Sequence, residues 1–409
     1  LLGEYSGLPK EVNYLVFASI FPSLVIGMFY TDISYFLSQV QGLSATFTGL
    51  VIAVMGISMV LASIPMGIAA DKYGRKKFLI IGNILASLII AVFVLTTNPL
   101  LLILAAVVEG ISEAAFNASS SALIAEKAGN EKRTVAFALF GFVSGIAMGV
   151  GSFMVPLVII FEIFGFTSQE GHALLYIMLA LISLASTAIM LKITESKSLK
   201  KTEGGLRHLL PNKSRDVLIK YVFANAIIAF GAGLVVPLMS MWFGLRYGIT
   251  DAISVPIIGI SNIVIGIATL AAPPLARKIG LVRAIVVTQG VSTIFMFATP
   301  ISPEYISASF VYTIRSFLMN MASPLQNSMI MGLVAEDERG TASGISGALW
   351  RLPNAVSAIV GAWLMGLGLL AAPFFLAGLL YIISIALFWF YFRNTKMPEE
   401  ISNINTTNY

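Results

Sequence analysis

The 409-residue chain is 57% hydrophobic and only 11% charged, carries a net charge of +5 and contains no cysteine. Soluble domains have roughly a quarter charged residues, so no aqueous fold hides this much apolar surface, and disulfides, thiolate metal sites and cysteine nucleophiles are excluded. The two histidines, His172 and His208, lack metal-site spacing, so no metal ion is expected, and the basic residues fall between apolar runs rather than in a patch, which argues against nucleic acid as a partner.

Residues Leu1 to Val12 show no basic segment, short apolar stretch and small-residue cleavage site, so the first apolar run is read as a retained span. Apolar runs of spanning length recur at approximately 12–40, 45–70, 77–97, 99–125, 133–163, 171–193, 217–245, 252–276, 282–300, 304–333, 340–367 and 371–392. Helix is the only sensible assignment, because lipid offers no partner for a backbone N–H or C=O and the runs are too long for barrel strands. The expected architecture is all-α integral membrane, with twelve transmembrane helices in two pseudo-symmetric six-helix bundles. Placing the N-terminus inside puts nearly every Lys and Arg in a cytoplasmic loop, with both termini cytoplasmic. Arg246 then lands at the outer face, and Arg315 and Arg351 land inside spans.

Between spans 2 and 3 the chain reads Gly67-Ile68-Ala69-Ala70-Asp71-Lys72-Tyr73-Gly74-Arg75-Lys76-Lys77. Gly67 allows close helix packing, Gly74 permits a tight turn, Asp71 accepts hydrogen bonds near a helix N-terminus and the basic run holds the turn inside. This stretch closely resembles the signature between helices 2 and 3 of the major facilitator superfamily, G-x-L-a-D-r-x-G-r-k, with Ala69 in place of leucine. The resemblance implies a conformational latch of Gly67, Asp71, Gly74 and Arg75, with Asp71 contacting helix 11 and Arg75 meeting Glu126 at the end of helix 4. It also implies that helices 1, 4, 7 and 10 line a central cavity and that the protein is a monomer. In the second half the corresponding loop has Arg277 where the Asp would be, which weakens a latch there.

Span 4 carries Glu109 and Glu113, one turn apart on one helix face. Two carboxylates this close at membrane depth suit a proton-coupling site, and Asp32 on span 1 extends a path to it. The helix-4 arginine signature of the family is broken, with Ala106 at the Arg position. Span 5 contains Gly141, Gly145, Gly149 and Gly151 before Pro156, resembling the glycine-rich signature of the family's drug:proton antiporters without its Gly-Pro pair; close packing of spans 5 and 8 explains the same residues equally well. Pro22, Pro65, Pro156, Pro237, Pro324 and Pro353 are expected to mark kinks, and Glu162 and His172 are expected to be solvated in an outer loop.

The hydrophilic segment 194–216 divides the chain into an N-terminal bundle, 1–193, and a C-terminal bundle, 217–393, followed by a cytoplasmic tail, 394–409. An offset of about 206 residues places Gly74 on Gly280 and Glu131-Lys132-Arg133 beside Asp337-Glu338-Arg339, so the halves are repeats. In the second half Arg315 and Arg351 reach the midplane, and an Arg cannot shed its charge. With Asn225, Asn320 and Gln326 they form the candidate substrate-binding set, and Asn327 lies further along span 10.

The same offset sets Glu109 opposite Arg315, although a loop gap would move Arg315 onto Ala105. That pair is either a buried bridge that stabilises one state or a switch that substrate or proton breaks. The leading expectation is a secondary active transporter in the cell membrane, working by alternating access and exporting drug-like or metabolic compounds against protons. The alternative is a proton symporter for an organic anion or zwitterion. No nucleophile–base set or phosphate-binding loop points to an enzyme, and no cofactor is expected beyond the proton gradient as energy source.

Overall fold

The computed structural model describes residues 8–194, 213–335 and 339–395. Most of the 194–216 linker and of the 394–409 tail, His208 and the Asp337-Glu338 pair therefore lie outside the described residues. Helices run at Lys10–Tyr35 (α1, continued by a π-turn Phe36–Val40), Ala45–Tyr73 (α2), Arg75–Leu95 (α3), Pro99–Gly129 (α4), Val135–Ile163 (α5) and Ser168–Met190 (α6). They continue at Arg215–Tyr247 (α7), Asp251–Ile279 (α8), Leu281–Ile301 (α9), Tyr305–Leu333 (α10), Arg339–Gly366 (α11) and Ala372–Phe392 (α12). Each matches an apolar run of the sequence to within a few residues.

Among the described residues, nine of these helices are long and apolar enough to cross a membrane, and the apolar described stretch of α8 is Asp251–Ile265. Polar side chains interrupt α10 and α11, namely Arg315, Asn320 and Gln326 on the first and Arg351 and Asn354 on the second.

Local chemistry sets the ends. Ser44 caps α2 by accepting from the Phe47 amide, and Asn98 caps α4 through the Leu100 and Leu101 amides with Pro99 at the first position. Thr167 and Glu170 form a capping box on α6. Gly74 at φ 116° turns α2 into α3, and its repeat mate Gly280 at φ 86° turns α8 into α9. Gly129 at φ 67° breaks α4 from α5. Of the prolines expected to kink spans, Pro156 and Pro237 sit in 3-10 turns, whereas Pro22, Pro65, Pro324 and Pro353 lie within continuous α-helix.

By internal contact the chain forms two compact units, and these differ from halves drawn at the linker. Unit 1 holds residues up to Lys200 together with Val236–Ile263 and Ala358–Leu370. The second-half segments join it at the helix ends remote from the Gly74 turn. Ser34 and Ser240 share a 2.7 Å hydroxyl contact there, and the Trp242 indole donates to the Leu370 carbonyl at 2.9 Å. Unit 2 holds Lys201–Val235, Val264–Ser357 and Ala371–Tyr409.

The 206-residue repeat recurs in the packing within each unit. Ser34 and Ser240 are themselves 206 apart. A Cβ on Gly27 of α1 would collide with the Met148 backbone of α5, and a Cβ on Gly233 of α7 would collide with the Asn354 backbone of α11. Both members of each pair are displaced by 206, so one helix crossing is built twice. Gly149 and Gly259 bring α5 and α8 together, a Cβ on Gly259 reaching 2.8 Å from the Ser152 Cβ, whereas Gly141 and Gly145 face open space. The packing reading therefore accounts for Gly149 and leaves Gly141 and Gly145 unexplained.

Overpacking of this kind costs about 1–3 kcal/mol. Gly27→Leu is expected to lower the thermal unfolding temperature in detergent clearly, and Gly145→Ala to leave it unchanged; equal melting of the two variants would contradict the crossing geometry.

Candidate functional site

Glu109 and Glu113 lie on the face of α4 turned towards α1, α3 and α6. Gly110 is what lets α4 lie this close to α2, because a Cβ there would meet the Met55 and Met59 backbone. The two acids border a cavity of ≈ 20 Å³ with Pro22, Phe29, Asn83 and Phe116, space for about one water. Glu113 accepts hydrogen bonds from the Tyr30 hydroxyl and, at 3.3 Å, from the Asn117 amide. Glu109 is 2% exposed and its Oε2 has no hydrogen-bond partner. The pair thus faces the interior of the first helix bundle. Beside it Asn83 staples α3 to α6, donating to the Ser183 carbonyl and the Thr187 hydroxyl at 3.0 Å each.

Asp32 is fully buried, but its partner is Tyr176 of α6, whose hydroxyl donates to Oδ2 at 2.8 Å. It shares no hydrogen bond with Glu109 or Glu113. The expectation of a solvated His172 is wrong: the side chain is fully buried. Asp251, brought in by the start of α8, covers it and is hydrogen-bonded to Nε2, while Nδ1 donates to the Ser168 carbonyl at 2.6 Å. Glu162 is exposed, as expected.

In unit 2 the Arg315 guanidinium is 3% exposed and donates from Nη2 to the Tyr381 hydroxyl. The rings of Tyr381 and Tyr312 stand 5.6 and 5.8 Å from its carbon, and Ser292 donates to its backbone carbonyl at 2.9 Å. Its Nε has no partner. Gln326 donates to Asn225 at 3.2 Å, joining α10 to α7, and Asn320 is turned to the Ser316 carbonyl of its own helix. Arg351 is exposed.

At the turn after α2, Arg75 binds Asp71 through Nε at 2.7 Å and Glu126 through Nη1 at 3.2 Å. Lys127 adds contacts to Glu126 at 3.2 Å and Glu11 at 3.8 Å, so α1, α3 and α4 are tied at one end. A Cβ on Gly67 would meet open space, and no close helix approach explains that residue in this unit. Sequence reasoning overlooked Tyr30, Asn83, Tyr176, Asp251 and Tyr381. Asn83, a lone amide inside an apolar span, was visible as a candidate, whereas the others are ordinary residues until the fold supplies their partners.

Long apolar helices with ionisable groups buried among them, built as a packed repeat, define a multi-pass membrane transport protein. A family model for the Major Facilitator Superfamily matches residues 15–358, and the chain belongs to that family. It is 24% identical over 395 residues to Multidrug resistance protein 2 of Bacillus subtilis (strain 168), covering 92% of this chain and 94% of the relative. It is 27% identical over 259 residues to Quinolone resistance protein NorA of Staphylococcus aureus (strain MRSA252), covering 61% and 63%. Among solved structures, a mutant of the nucleoside transporter NupG shares the fold with TM-score 0.76 at 15% identity, covering 93% of this chain and all of that one. The D-xylose-proton symporter does so with TM-score 0.72 at 16% identity, covering 92% and 97%. The protein is a transporter and not an enzyme, acting on small molecules within a bilayer.

Removing a partner from a buried cation costs roughly 1.5–3 kcal/mol. Tyr381→Phe is therefore expected to lower the melting temperature more than Tyr391→Phe. Identical melting would mean that the Arg315 bond is not formed in solution.

Proposed function

We propose that the protein exports drug-like or metabolic compounds in exchange for protons. Glu109 carries this reading: it is a carboxyl in an apolar cavity with one oxygen unpartnered and a second carboxyl one turn away. An isolated charge at membrane depth costs several kcal/mol, so such a group gains by taking a proton when access allows and gives it up when water enters. Glu113, held by Tyr30 and Asn117, is the second carrier, and Asp32 is a third acid on α1. The names of two relatives, a multidrug and a quinolone resistance protein, lend support to export of drug-like compounds.

Arg315, Asn225, Asn320 and Gln326 supply the polar contacts for substrate, with Arg351 a further contact in another state. The latch of Gly67, Asp71, Gly74, Arg75 and Glu126 holds one end closed. The protein works as a monomer in the plasma membrane with both termini cytoplasmic, and the proton gradient is its only energy source. The unpartnered Arg315 Nε favours a second reading, symport of an organic anion or zwitterion whose carboxylate the guanidinium takes.

Proteoliposomes with an imposed pH gradient test both readings with a lipophilic cation, a quinolone and an organic anion. Wild type is expected to accumulate solute only with the gradient opposed to solute movement, and Glu109→Gln to reduce flux to its gradient-free level. Solute moving with the proton would establish the symport reading. Flux indifferent to the gradient in both proteins would refute coupling through α4. Arg315→Ala is expected to weaken uptake of carboxylate-bearing solutes at least 10-fold, the order of one charge-assisted hydrogen bond, and to leave the lipophilic cation nearly unaffected.

A further inference from the structure

Asp32 of α1, His172 of α6 and Asp251 of α8 converge from three distant points of the chain. Their exposures are 0%, 0% and 5%, and their donor atoms lie within 4.8 Å of one another. Among the described residues neither aspartate has a Lys or Arg partner. The hydrogen bonds fix how many protons the cluster holds. The Ser168 carbonyl can only accept, so the Nδ1 beside it carries a hydrogen. Nε2 meets the Asp251 carboxylate, and a bare imidazole nitrogen and a carboxylate oxygen are both acceptors, so that contact contains one further proton.

On its other side the same Nε2 stands 3.9 Å from Asp32 Oδ2. Asp32 Oδ1 is buried without any partner. The other ionisable groups near the cluster are Tyr35 of α1, Tyr176 of α6 and the exposed Glu162 of α5, none of which supplies a positive charge. Packed under the Phe36 ring at 5.3 Å, two carboxylates around a neutral imidazole would hold two uncompensated charges. One proton removes one of them, and a second on Asp32 removes the other.

We propose that Asp32, His172 and Asp251 form a second proton-binding site, distinct from the Glu109–Glu113 pair, whose loading clasps α1, α6 and the start of α8 together. The clasp lies at the helix ends remote from the Gly74 turn and joins first-half to second-half residues inside unit 1. On unloading, the Nε2–H bond breaks, the electron pair stays on nitrogen and the proton passes to water. Nε2 then faces Asp251 as acceptor against acceptor, attraction becomes repulsion, and α8 is free to part from α1 and α6. The inference rests on alternating access but not on coupling through Glu109.

Because the sequence has no cysteine, a single introduced thiol reports on the clasp. Ser240, 1% exposed against Ser34, is the reporter position, and exposed Thr97 in the α3–α4 loop is the reference for intrinsic thiol reactivity. Maleimide labelling of Ser240→Cys, divided by that of Thr97→Cys, is measured without substrate or gradient from mildly acidic to alkaline buffer.

The ratio is expected to rise several-fold with pH. Added to the reporter, Asp251→Asn supplies an amide that donates to bare Nε2, so the ratio should stay low at every pH; His172→Gln, which donates to Asp251, should behave alike. Glu109→Gln should keep the full pH response while losing gradient-driven transport, which separates failure of the clasp from failure of the coupling reading. A ratio flat with pH in the otherwise unaltered protein, a response retained in both clasp variants, or one abolished by Glu109→Gln would overturn the proposal. A ratio governed by zinc or manganese addition and chelation instead of pH would overturn it in favour of a metal ion.

Discussion

A charge buried among lipid-solvated helices has no water to fall back on, and each ionisable group in this protein is placed by how that demand is met. Arg315 meets it with the hydroxyl of Tyr381 and the faces of two tyrosine rings. His172 meets it with a carbonyl on one side and a carboxylate on the other. Glu109 leaves its Oε2 buried without a hydrogen-bond partner among the described residues, the arrangement on which the proposed proton site rests. Where water is near, the same charges serve another purpose: Arg75, Glu126 and Lys127 are half-exposed or covered near a helix end and form a small network, worth little individually but able to break and reform.

The backbone answers to the same constraint. Helices satisfy their own N–H and C=O groups, which leaves packing to decide how they assemble. Small residues decide it here: Gly27 against Met148 and Gly233 against Asn354 are one crossing used twice, 206 residues apart in sequence. The Ser34–Ser240 contact joins two equivalent residues. That contact and an Asp–His–Asp cluster on the same helix ends make this end of unit 1 the place where first-half and second-half residues hold one another.

Much of this was legible beforehand because lipid simplifies the code. Apolar run length gave the twelve helices seen among the described residues, Gly74 gave its turn, and Arg75 met Glu126 as the family resemblance implied. What escaped was the direction in which a side chain points. Glu109 and Arg315 were placed on facing helices by counting, yet Glu109 turns towards α1, α3 and α6, and Arg315 turns towards α12. An all-round apolar helix carries no periodicity to say which face is inward. His172 was misread because its covering residue, Asp251, lies 79 positions away and looks like an ordinary helix start. Compact units that mix first-half and second-half segments were likewise out of reach of a boundary drawn by composition.

The central claim is that first-half and second-half helices holding one another at the Ser34–Ser240 contact must part during each transport cycle. Ser34→Cys combined with Ser240→Cys places two sulfurs where hydroxyls now stand 2.7 Å apart, in a sequence with no other thiol. Solute flux in proteoliposomes is compared after oxidation and after reduction of this double variant. The account predicts that oxidation arrests flux and reduction restores it. Full transport by the cross-linked protein would contradict it.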